Sequence, residues 1–87
     1  MTEERERQLR KLYEEGKRAE ALETAFNSYL DNICNRTIKE LSTANISNDK
    51  LMESHCVLVV VNQLRAELQS VIATGRNAGK DLSYESV

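Results

Sequence analysis

Apolar side chains recur three or four positions apart through the first half of the chain, at Leu9, Leu12, Tyr13, Ala19, Leu22, Phe26, Tyr29, Leu30, Ile33 and Leu41. This is the spacing of one helical face, and it predicts a helix over about residues 3–41. Thr2 offers an N-cap hydroxyl, and Glu3, Glu4 and Glu6 sit where the helix dipole favours negative charge. Glu3 with Arg7, Glu6 with Arg10 and Glu14 with Arg18 are i,i+4 pairs in the favoured order. Gly16 interrupts the stripe at a cost of about 1 kcal/mol relative to alanine, and a kink or break is expected there.

Residues 42–49, STANISND, are dense in side chains that hydrogen-bond their own backbone and compete with a helix, so they read as the connection. Ser47, Asn48 or Asp49 can cap a second helix, whose stripe is Leu51, Val57, Leu58, Val61, Leu64, Leu68, Val71 and Ile72. That pattern runs over about residues 50–74, after which Gly75 and Gly79 predict a stop. The chain therefore reads as all-α: an antiparallel helical hairpin, residues 1–79 forming a single helical domain. Residues 80–87 carry Leu82, Tyr84 and Val87 without sustained spacing and are expected to be mobile or to dock on a partner.

The five residues from Val57 to Val61 are all apolar and mostly β-branched, a composition that also suits a buried strand. Helix-forming flanks that keep the 3.6-residue period decide for helix, and one neighbouring helix cannot cover a turn that is apolar all round. An oligomeric helix bundle is expected, with Val57, Leu58, Val61, Leu64, Leu68 and Val71 as the self-association surface. Size points the same way: one domain of 87 residues buries only about 60–65% of the surface its unfolded chain exposes.

Composition narrows the function. The chain is 40% apolar and 30% charged with no Pro, and its net charge of −2 is spread over intermixed acids and bases. A nucleic-acid partner is not expected from such a distribution. The basic residues Arg10, Lys11, Lys17 and Arg18 are interleaved with Glu14, Glu15, Glu20 and Glu23, as on a solvated helix face, and Tyr13, Phe26 and Tyr29 fall on the apolar stripe as core. The charged N-terminus does not resemble a secretory signal, and the longest apolar run, CVLVVV, is far short of a membrane span. A soluble, cytoplasmic protein with Cys34 and Cys56 reduced is expected.

Candidate chemistry is sparse. In ATGRNAGKD, Thr74 stands where a phosphate loop needs its first glycine and Asp81 where it needs a hydroxyl, so no nucleotide cofactor is expected. Cys34, Glu53, His55 and Cys56 are metal-binding residue types, but their spacing lacks a paired ligand motif, and Cys56 is expected to be packed with His55 near the rim. A Cys34–His55 nucleophile pair would also need a cleft and an oxyanion site, which two helices do not supply, so no catalysis is expected.

The segments LRAELQSVIATGRNAGKDL and EEGKRAEALETAFNSYLDNI resemble small two-helix proteins encoded among the structural and DNA-packaging genes of tailed bacteriophages. The matching positions are Gly16-Lys17-Arg18-Ala19, Leu64-Arg65 with Leu68, and Gly75-Arg76 with Ala78, while the added Gly79-Lys80 departs from that pattern. The resemblance implies a non-catalytic, intracellular protein that works through contacts in virion assembly or DNA packaging. Small phage proteins of this size also inhibit or redirect a host protein, which is the alternative reading.

Overall fold

The computed structural model describes residues 2–85 and consists of two helices packed against each other, α1 (Glu3–Leu41) and α2 (Asn48–Glu85). Each helix starts on a side-chain cap: the Arg5 amide donates to Thr2 Oγ1 at 3.2 Å, and the Lys50 amide to Ser47 Oγ at 3.2 Å. At the end of α1 the hydroxyls of Ser42 and Thr43 donate to the carbonyls of Ile38 and Lys39, which also accept from the Ser42 amide. Asn45 then turns the chain with φ 62°, a left-handed conformation that asparagine tolerates better than most residues.

The expected break at Gly16 and stop after Thr74 do not occur: α1 runs through Gly16, and α2 runs through Gly75 and Gly79 to Glu85. None of the glycines has positive φ. Gly16 and Gly75 are buried because the two backbones touch there, and a methyl group on either would lie 2.6 Å from the other's Cα. These glycines serve by being small, not by being flexible. The residues expected to form a tail are likewise helical as far as Glu85, with Leu82 half-buried and Tyr84 85% exposed. Val87 lies outside the described residues.

The chain forms two compact units, one joining α1 up to Glu23 with α2 from Glu67, the other spanning Thr24–Ala66. In the first, Leu9 and Leu82 stand one heptad outward from the Gly16–Gly75 contact, and Ile72 and Ala78 are buried beside it. In the second, which holds the connection, the buried residues are Leu30 and Val61 and, nearer the turn, Thr37 and Ser54. Thr37 returns its hydroxyl to the Ile33 carbonyl at 2.8 Å, whereas buried Ser54 Oγ has no hydrogen-bond partner among the described residues.

Candidate interaction surface

Within Thr24–Ala66 the two sides of the helix pair differ in chemistry. On one side Arg65 donates to Asn27 Oδ1 at 3.1 Å and to Asp31, a pairing that raises the guanidinium's pKa still further. Each residue of a helix turns about 100° from the last, so with Asn27, Asp31 and Arg65 on this side, the opposite side receives Phe26, Tyr29 and Ile33 of α1 and Val57, Val60 and Leu64 of α2. That side is apolar and open. Tyr29 is 62% exposed and Val60 50%, Leu64 is exposed, and Phe26, Ile33 and Val57 are half-buried. At its turn end lies a charged rim, where Lys50 Nζ meets Glu40 at 3.3 Å and Glu53 at 3.6 Å. The hydrogen bond that Lys50 donates to Glu40 is the main cause that holds the Lys50 pKa above its ordinary value.

The other unit repeats the division on its own. Gln69 donates to Glu23 at 3.1 Å and Arg76 to Glu20 at 3.3 Å on one side, while Leu12, Leu22 and Val71 stand exposed on the other. Beside the glycine contact it also carries an open groove of about 640 Å³ between Tyr13 and Tyr84, with Lys17, Arg76 and Lys80 around it. Lys17 lies 5.6 Å from the centre of the Tyr13 ring and 3.9 Å from Glu20, so its charge is already engaged within the chain.

The six residues expected to drive self-association divide between two roles. Val61 is 3% exposed and belongs to the core of its unit, with Leu58 half-buried there, while Leu68 is half-buried in the other unit. Val57 and Leu64 lie on the open apolar side of the Thr24–Ala66 unit, and Val71 stands exposed in the other unit. Val60, within the apolar segment Val57–Val61, lies on the open side of Thr24–Ala66 too, as do Phe26, Tyr29 and Ile33; of these, Phe26 and Tyr29 are expected as core, but Phe26 is half-buried and Tyr29 62% exposed. A seven-residue recurrence carries the signal that separates them. Leu9, Gly16, Glu23, Leu30 and Thr37 on α1, and Ser54, Val61, Leu68, Gly75 and Leu82 on α2, are the seam, and residues flanking such a series face outward.

The remaining chemical candidates stay dispersed. Cys56, expected to be packed, is exposed, because it falls on the back of α2, away from the seam; His55 is exposed and Cys34 half-buried. Among the described residues no three His, Cys, Asp or Glu side chains gather closely enough to hold a metal ion. Ser54 and Lys50 are one helical turn apart, but Lys50 is held in its charged form by Glu40 and Glu53, the opposite of what a general base requires. By length and composition α2 could cross a membrane, with a mean hydropathy of 1.3 over one stretch. It also carries Arg65, a residue costing roughly 2.5–3.5 kcal/mol at a bilayer centre. Comparison with protein-family models, with curated proteins and with solved structures finds no match to this chain.

Proposed function

We propose that the protein is a non-catalytic, self-associating interaction protein that needs no cofactor and acts through contacts in virion assembly or DNA packaging, in the cytoplasm of a host cell. The observation that carries this reading is the apolar surface the hairpin leaves uncovered. The chain exposes 6739 Å² for a mass of 9.9 kDa, against about 5,200 Å² for a compact monomer of that mass. Its fully buried hydrophobic residues are only Leu30, Val61, Ile72 and Ala78 among those described, a thin core that burial between copies would supplement.

Sedimentation equilibrium at micromolar concentration tests the proposal. A closed oligomer of defined mass supports it. A well-folded monomer overturns it, and if that monomer captures a single host protein, the alternative of a module that inhibits or redirects a host factor takes its place.

A further inference from the structure

We infer that a second copy of this chain covers the side of the Thr24–Ala66 unit formed by Phe26, Tyr29 and Ile33 of α1 with Val57, Val60 and Leu64 of α2, so that two such units make a four-helix bundle. The inference rests on the self-association proposed above and names the surface that performs it.

Three observations select this side and this occupant. The first is that the two sides are unequally satisfied. Asn27, Asp31 and Arg65 already hydrogen-bond one another across the helices, and covering them would cost desolvation of charge with few bonds left to gain. The opposite side presents six apolar residues, its charges, Arg36 one heptad beyond Tyr29 and the rim of Glu40, Lys50 and Glu53, being confined to the turn end, so covering the apolar part releases water from hydrocarbon at little polar cost.

The second is the residue type. Valine is a poor helix former, and at a position as exposed as Val60 a lone hairpin gains nothing from packing that would offset it. β-Branched residues are favoured at helix–helix seams, where their stiff side chains lose little further freedom on being buried. Tyr29 has the character common at the centre of interfaces, a large flat apolar body with a polar hydroxyl at its tip.

The third is area. Over the whole chain the surface in excess of a compact monomer is roughly 1,500 Å², more than the ~800 Å² that a stable interface of standard size takes from each partner. With charge confined to Arg36 and the turn-end rim, the face gives little electrostatic basis for choosing a foreign partner, whereas a two-fold axis would set Val60 and Tyr29 of one copy against the same apolar face of the next.

The test compares glutamate at two neighbouring valines. Val60→Glu places a carboxylate on the proposed face, twice across the two-fold axis. Val59→Glu places it on the back of α2, at a residue of the same type and 40% exposed. With association followed by sedimentation and folding by circular dichroism, Val60→Glu is expected to keep the helical signal and raise the dissociation constant roughly a hundredfold or more, while Val59→Glu leaves it unchanged. Should Val60→Glu lose its helical signal, Tyr29→Glu on the other helix decides by the same criterion, since Tyr29 contributes little to the chain's own core. Wild-type association that survives the decisive variant overturns this surface and leaves self-association standing. Equal disruption by Val59→Glu also overturns it, and a monomeric wild type removes both.

Discussion

A methyl group on Gly16 would stand 2.6 Å from the Cα of Gly75, and one on Gly75 the same distance from the Cα of Gly16. No side-chain rotation relieves an approach between two backbones, so Gly16→Ala forces the helices apart along the seam. Alanine's better helix propensity returns about 1 kcal/mol, and overpacking at a rigid contact costs up to about 3 kcal/mol, leaving net destabilisation. At Gly79 the added methyl meets the Tyr13 ring at 2.9 Å, and the obstacle there is a side chain that is 39% exposed, not a backbone. Gly79→Ala is expected to be neutral or stabilising by up to about 1 kcal/mol. Urea titrations of the two variants give opposite shifts in midpoint; equal losses would mean that Gly79 also lies at a contact that cannot yield.

Ser54→Ala removes a buried hydroxyl that has no partner, from a helix in which alanine is the better residue. The expected outcome is a stabilisation of about 1 kcal/mol, measured as a higher thermal midpoint at constant protein concentration. A loss of stability would show that Oγ is hydrogen-bonded in solution.

At Asn45, with φ 62°, glycine should be accepted without loss, whereas Asn45→Val should cost about 1–2 kcal/mol because a β-branched side chain clashes in the left-handed region. Denaturant midpoints of the pair check it, and equal stability of the two would mean the turn rearranges.

Val61→Glu puts a carboxylate at a position 3% exposed inside the hairpin, a cost of several kcal/mol in a thin core. Loss of helical circular dichroism at neutral pH is expected. A variant that stays helical and merely dissociates would move Val61 from the core to an intermolecular surface.

The helical hairpin was legible because its signals are local. Thr2, the Ser-Thr-Asn run and Ser47 mark ends through side chains that bond the adjacent backbone, and the period along both halves marks a buried face. Gly75 and Gly79 misled for a physical reason: glycine ends a helix by entering positive φ and continues one where a neighbouring backbone must come close, and the residue looks the same in both cases. Tyr29 misled because a stripe read at 3.6 residues is broad enough to hold both the seam and the face beside it. Only the narrower seven-residue series separates Leu30, 1% exposed, from its neighbour Tyr29. The open apolar side was half legible, on α2, since nothing local tells which flank of a seam a second helix leaves bare.

The cross-helix bonds also carry an order in time. Arg65 and Asn27 join residues 38 apart in sequence, Gln69 and Glu23 join residues 46 apart, and Arg76 and Glu20 join residues 56 apart. Each closure shortens the loop that the next must close, so the hairpin is expected to zip outward from its turn, with the glycine contact formed after the rate-limiting step. Gly16→Ala should then leave the refolding rate nearly unchanged and speed unfolding, while substitutions around Leu30 and Ser54 alter refolding itself. The two glycines thus act as a latch on a structure already assembled, setting how long the hairpin stays shut more than how quickly it closes.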